Sequence, residues 1–326
     1  MKVTARDIAS KCGTSISAVS RAFRADGSIH PDLRRRILDE AASLGYTPPA
    51  RRARMLREAV SFAIVIGEIG NPFNASTLMR FSSSAASAGW VMTTFVVPTS
   101  GEMDSVIEQV LAADLDVVVL ASAELSSGLA KECRERGLPV IYFNRIQVDA
   151  DMIAVCTDNY GGGQLAAERL LAAGRERFAF VGGRIETSTH LERRRGFLDA
   201  LKAAGVSLDH DEVGNFDYET ALGIGRDLFN RSPAPDGIFC ANDNMGFALI
   251  DAADAVGLRP GEDVSIIGYD DVPMARWNRY QLTTISQQVD HMVAHTVELI
   301  GRAAQGTALE GVIEVVAAKL VARQSG

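Results

Sequence analysis

The sequence predicts a small all-α head followed by an α/β core built of two doubly wound parallel-sheet halves. Three observations carry that expectation. Charge is split along the chain: residues 1–58 hold 12 Lys+Arg against 6 Asp+Glu, a net of +6, within a chain of 326 residues whose net charge is −8, leaving −14 on the remainder. Residues 4–46 show helical periodicity in three short pieces. From residue 60 onward, apolar runs rich in β-branched residues alternate with helical stretches, the pattern of parallel sheets covered on both faces.

The head justifies its three helices in order. Thr4-Ala5-Arg6-Asp7 has capping-box spacing, in which the Thr hydroxyl accepts from a free amide of the first turn, and Ile8 and Ala9 supply one apolar face. Gly13 interrupts that helix. Ser15 is placed to cap the next, whose Ile16, Val19 and Phe23 fall at helical spacing. A third helix follows Pro31, with Ile37, Leu38, Ala41 and Leu44 as its buried stripe and Gly45 as its C-terminal cap. Two helices joined by a tight turn containing glycine form the helix-turn-helix pattern. The alternative is a generic three-helix bundle; the positive balance and the polar start of the second helix favour DNA.

The core reads as strands at FAIVI (62–66), TTFVV (93–97), VVVLA (117–121), PVIYF (139–143), IAVC (153–156), FAFVG (178–182), GIFC (237–240) and VSIIG (264–268). Helical patterning lies near 75–88, 102–113, 125–136, 160–173, 190–204, 218–230 and 243–256. These strands are too many for one compact unit, so two halves with a cleft between them are expected, with small molecules bound at the carboxyl ends of the strands.

Composition and motifs exclude several classes. An apolar fraction of 47% with 23% charged residues is ordinary for a globular protein. No run has the length of a transmembrane helix, and MKVTARDIASKCG lacks the apolar region of a signal peptide, so a cytoplasmic protein without a membrane span is expected. Cys12, Cys133, Cys156 and Cys240 are scattered without a CxxC pair, which suits reduced thiols. Tyr160-Gly161-Gly162-Gly163 precedes a helix and could cradle phosphate, but it lacks both the GxGxxG order after a strand and a Walker pattern. His291 and His295 share a helix face with no further ligands nearby, which points to surface or interface histidines and no metal. No GxSxG or HExxH occurs, so neither an enzyme nor a cofactor is expected.

VTARDIASKCGTSISAVSRAF (3–23) and IHPDLRRRILDEAASLGYTP (29–48) closely resemble the head of the LacI/GalR-type (lactose-repressor) family of bacterial transcription regulators. NPF (71–73), the GF after an arginine cluster (193–197), CANDNM (240–245) and SIIGYDD (265–271) resemble its effector-binding core, so the resemblance runs in order over essentially the whole chain. It implies a helix-turn-helix domain at 1–47, a hinge helix at 48–59 and a periplasmic-binding-protein-like core at 60–326. In that core the N-subdomain would take about 60–158 and 287–311, and the C-subdomain about 159–286 and 312–326, with crossings near 158, 287 and 312.

The resemblance also assigns roles. PARRARMLR (49–57) would form the hinge helix that enters the minor groove, with Met55, where many members have leucine, as the apolar wedge that kinks a base step. Arg51 and Arg52 stand where small or aliphatic residues are more usual; their charge suits phosphates or a narrow minor groove. In the second helix, Ile16 and Ser17 fall at base-reading positions with Arg21 nearby, while Ser15, Ser20, Lys2 and Arg24 would meet phosphates. The alternative for Ile16 is a core residue of the bundle. In the core, Arg193 matches the effector-gripping arginine and Asp270 an acceptor for hydroxyls. Asn242, Thr187, Thr189 and Phe216 would complete that half of the pocket, and Phe73, Asn74, Ser122 and Asp158 the facing half. For each polar residue the alternative is a capped turn or helix N-cap.

The function this implies is a DNA-binding regulator, expected to be a repressor, whose operator affinity is set by a small molecule bound in the cleft, a sugar or sugar derivative. Two-fold symmetry of a homodimer would match a pseudo-palindromic operator. The chain ends VVAAKLVARQSG with no heptad helix, so a dimer is expected and not a tetramer. The rival reading is a sugar-binding protein or sugar-modifying enzyme on the same two-lobed core.

Overall fold

The computed structural model describes residues 3–23, 29–46, 59–67, 69–97, 103–121, 126–146, 151–309 and 311–326. In the head, α1 (Ala5–Lys11) opens on a complete capping box between Thr4 and Asp7, and α2 (Ile16–Ala22) on Ser15, whose Oγ accepts from the Ala18 amide at 3.1 Å. α3 (Pro31–Ser43) starts on Pro31, and Gly45 turns left-handed beyond it at φ 63°. Ile8, Ala9, Cys12, Val19, Ala22, Ile37 and Ala41 form the small core these helices share.

The rest of the chain forms two lobes. In chain order it runs β1 (Ser61–Gly67), α4 (Pro72–Ala88), β2 (Val91–Val97), α5 (Met103–Ala112), β3 (Val117–Leu120), α6 (Ser126–Glu135), β4 (Val140–Phe143) and β5 (Ile153–Thr157). It continues with α7 (Asn159–Ala172), β6 (Phe178–Gly182), α8 (Ser188–Ala203), β7 (His210–Val213), α9 (Tyr218–Phe229), β8 (Gly237–Cys240), α10 (Asp243–Ala255) and β9 (Ser265–Asp270). β10 (Thr283–Ser286), α11 (Val289–Ala304), β11 (Ile313–Val316) and β12 (Lys319–Val321) close it. The first sheet has the order β11-β5-β4-β3-β1-β2 and is parallel throughout. The second, β12-β10-β9-β8-β6-β7, is parallel except for the β10–β12 pair.

Two features depart from the expectation. β11 pairs with β5 in the first sheet, so the last crossing falls at 317–318 and not near 312. β12 follows β11 after only Ala317 and Ala318 and pairs antiparallel with β10. Four strands, β7, β10, β11 and β12, are absent from the sequence reading. β7, β11 and β12 are edges with exposed alternating positions, and β10 is threonine-rich, so none shows a continuous apolar run.

The glycine run has a packing explanation. Gly161, Gly162 and Gly163 lie in the first turns of α7, where a Cβ on Gly163 would stand 2.1 Å from the Arg193 carbonyl oxygen. On α8, a Cβ on Gly196 would stand 2.0 Å from the Tyr160 carbonyl oxygen. The two helices therefore touch backbone to backbone at reciprocal glycines, and that contact fixes where Arg193 stands. Asp158 caps α7 by accepting from the Gly161 amide in its first turn at 2.8 Å, so a side chain already takes one amide of the turn weighed above as a phosphate cradle. Among the described residues no helix is long and apolar enough to cross a membrane, and no cluster of metal-ligating side chains occurs.

Candidate functional site

On the head, α2 turns Ala18, Val19 and Ala22 inward and leaves Ser15, Ile16, Ser17, Ser20 and Arg21 exposed. Ile16 is 46% exposed, which removes the alternative that it belongs to the bundle core. An isoleucine held in water beside three serines and an arginine is a surface suited to base edges and thymine methyls. Ser15 and Ser17 share a hydroxyl–hydroxyl bond at 2.8 Å, which presets Ser17 beside the cap. Lys2, Arg24, Arg51, Arg52 and Met55 lie outside the described residues, as does Ser122 of the core.

The expected effector residues gather near the carboxyl ends of the strands of the second sheet, at β8 and β9. Arg193, on α8, is 2% exposed. Its Nε donates to Asn159 Oδ1 at 2.8 Å and its Nη1 to the Ala241 carbonyl at 2.5 Å. The guanidinium lies over the Tyr269 ring, 3.6 Å from the centroid, with Nη1 3.9 Å from Asp270 Oδ1. Stacking and two hydrogen bonds leave the fork a single orientation. Asp270 ends β9, 6% exposed, and accepts from Gln287 Nε2 at 2.6 Å. Burial pushes its carboxyl up to about 7, while the Arg193 charge and the Gln287 bond pull it back. Burial and then the nearby Asp270 hold Asp243 well above the usual carboxylate range.

The remaining expected residues divide by what their side chains already do. Asn242 caps α10 by accepting from Met245 N–H at 2.9 Å, and its Nδ2 donates to the Phe216 carbonyl at 3.2 Å. Thr187 caps α8, accepting from His190 N–H and donating to the Arg184 carbonyl, and Thr189 donates to Thr187 Oγ1 at 3.3 Å. The capping alternative is thus realised for Asp158, Thr187 and Asn242. Such caps sit at strand carboxyl ends because each α/β turn places a helix N-terminus there. Phe216, at φ 62°, packs against Gly183, where a Cβ would be 1.9 Å from the ring. In the first lobe Asn74 Nδ2 donates to the Gly67 carbonyl at 2.9 Å. Phe73 is packed into the lobe core, where it adds shape and no polar contact.

The structure adds residues to this constellation that sequence reasoning did not name: Asn159, Tyr269, Gln287 and Asp243. Tyr269 sits within an apolar strand and reads as core; Gln287 follows a strand that was not recognised. Gln287 Oε1 is buried without a hydrogen-bond partner among the described residues, and a water or a ligand commonly meets such an atom. The lobes meet beside the cleft where Ile146 N–H donates to Ser188 Oγ at 3.2 Å. At the hinge, Thr157 Oγ1 donates to the Gln287 carbonyl at 2.8 Å, and Gln288 Nε2 to the Ala317 carbonyl at 2.9 Å, so the three crossings are tied to one another.

A family model described as Periplasmic binding protein domain matches residues 62–308, the greater part of the chain. The chain belongs to this family. Its two-lobed core with a cleft at the strand ends is the family's architecture, here carried behind a helix-turn-helix head. Along its full length the chain is similar to the HTH-type transcriptional regulator CelR of Thermobifida fusca, 28% identical over 98% of this chain and 97% of that protein. The structure of a transcriptional regulator CelR–cellobiose complex superposes with a TM-score of 0.76 at 27% identity, covering 100% of both chains. A Lac repressor dimer bound to operator and the anti-inducer ONPF superposes with a TM-score of 0.75 at 21% identity, over 100% of this chain and 99% of that one, a likeness of fold.

Proposed function

We propose that the protein is a regulator of the LacI/GalR type, a homodimer in the cytoplasm that binds operator DNA through its head and releases or grips it according to a sugar in its cleft. The observation that carries the reading is the pairing, within one chain, of an exposed Ile16–Ser17–Ser20–Arg21 face on a basic head with a cleft holding Arg193 and Asp270. The first is built to meet a polyanion and read its grooves. The second offers a fixed donor fork beside a carboxylate acceptor over an aromatic floor, which is the equipment for vicinal hydroxyls. The likeness to CelR, one structure of which holds cellobiose, supports a sugar as the effector class.

Coupling needs a ligand that favours one arrangement of the lobes over another. The tied crossings at 157, 287–288 and 317 are where one lobe turns on the other, and the head enters the first lobe through residue 59. In this reading Arg51, Arg52 and Met55 serve the hinge contact with the minor groove, and Ser122 joins the first-lobe wall. The test is two-part. Selection of bound sequences from random DNA by the full chain should yield a pseudo-palindrome. Thermal shift across cellobiose, D-ribose, sugar acids, sugar phosphates and nucleobases should raise the melting temperature with one sugar class. A selection that enriches no sequence would overturn the DNA-binding assignment, and stabilisation by nucleobases alone would overturn the sugar assignment.

A further inference from the structure

We infer that Asp243 is a positioning residue for the effector site: its carboxylate holds the end of β9 in the geometry that turns Asp270 toward Arg193 and Gln287. The inference rests on the reading of Asp270 as the effector acceptor. Asp243 opens α10 and is wholly buried. Both its oxygens are engaged within the protein. Oδ2 accepts from Val272 N–H at 2.8 Å, and Oδ1 accepts from the Thr284 hydroxyl on β10.

The position of those bonds is informative. Asp270 and Asp271 are consecutive left-handed residues, at φ 121° and 56°, and neither is glycine. Non-glycine residues keep such backbone angles only where the surroundings hold them. Before the pair, β9 is pinned by its ladders to β8 and β10. After the pair, the first amide is that of Val272, the one that Asp243 binds. Asp243 therefore closes the bracket around the strained pair, and its second bond ties the same point to β10, the strand that runs on to Gln287. Gly268 lets the carboxylate in: a Cβ there would stand 2.3 Å from Asp243 Oδ1. The charged groups near Asp270 are then Arg193 from α8 and Asp243 from α10, while the neighbouring Asp271 is paired with Arg323.

Hydrogen–deuterium exchange on the full-length protein tests this without a ligand. Asp243→Ala should speed exchange of the 270–272 amides on the order of tenfold, the loss of one hydrogen bond, with the first lobe and the α7–α8 pair unchanged. Asp243→Asn, which keeps an acceptor for Val272, should restore protection. Thr284→Val, which removes one bond only, should fall between them. Selective carbon-13 labelling of aspartate carboxyls adds a readout that a general loss of stability would not move. The Asp270 titration midpoint should move in Asp243→Ala, where loss of the bond to Val272 lets the Asp270 carboxyl shift relative to Arg193 and Gln287, and should return toward the wild-type value in Asp243→Asn. Unchanged 270–272 exchange in Asp243→Ala, faster exchange spread alike over both lobes, or an unmoved Asp270 midpoint would each overturn the inference. If Asp270→Asn leaves sugar binding intact, the effector reading fails while the exchange result stands.

Discussion

Asp270 carries the sharpest prediction at the scale of single residues. Its carboxyl is pushed up to about 7 from the ordinary aspartate value of 3.8, chiefly by burial. Sugar hydroxyls donate to the carboxylate, so sugar affinity should rise as pH climbs through 7 and fall by up to about tenfold per unit below it. The ligand-free fold should respond in the opposite sense: between the two values the native state keeps a proton the unfolded chain has released, and stability drops as pH rises across that window. Calorimetric titrations at pH 6, 7 and 8 check the first statement, and Asp270→Asn should flatten the slope. In the sequence, Arg193 and Asp270 were marked by the family resemblance, and the structure brings the two side chains within 3.9 Å of each other. Tyr269 was not legible, because an aromatic in an apolar strand looks the same whether it fills a core or floors a site. Asp243 was hidden for a related reason, since its partners, Val272 and Thr284, come from segments far along the chain.

At the scale of elements, the reciprocal glycines between α7 and α8 decide how the arginine is held. Gly196→Ala would drive a methyl to 2.0 Å from the Tyr160 carbonyl oxygen, and the helices must part. Overpacking of that kind destabilises by about 1–3 kcal/mol, measurable by urea unfolding, and displacement of Arg193 should weaken sugar binding alongside it. The hinge gives a complementary prediction. Met55→Gly should lower affinity for the selected operator on the order of tenfold, through loss of the wedge that pries a base step. Melting temperature and sugar affinity should stay at wild-type values; unchanged operator affinity would remove Met55 from the wedge role. Elements with strong periodicity or capping were readable in advance, as the Thr4–Asp7 box and the Ser15 cap illustrate. The edge strands and β10 were not, because an edge exposes alternate positions and β10 satisfies its threonines with partners the sequence does not place nearby, such as Arg323 and Asp243.

The whole molecule joins a head of net +6 to a body of net −14, through a core whose two lobes exchange strands and helices three times. In the proposed reading, that division leaves recognition of the polyanion to the head and hinge. The backbone passes between the lobes at 157–158, 287–288 and 317–318, so in the proposed reading the crossings are where a ligand in the cleft acts on DNA. The most direct test measures operator affinity by fluorescence anisotropy, with and without the sugar that stabilises the protein, for wild type and Arg193→Ala. Coupling between the cleft and the head predicts a change in wild-type operator affinity of about 5–150-fold. It also predicts no change in Arg193→Ala, which should still bind the operator. A wild type that binds the sugar yet holds the operator with the same affinity would contradict the account, and so would an Arg193→Ala variant that responds in full.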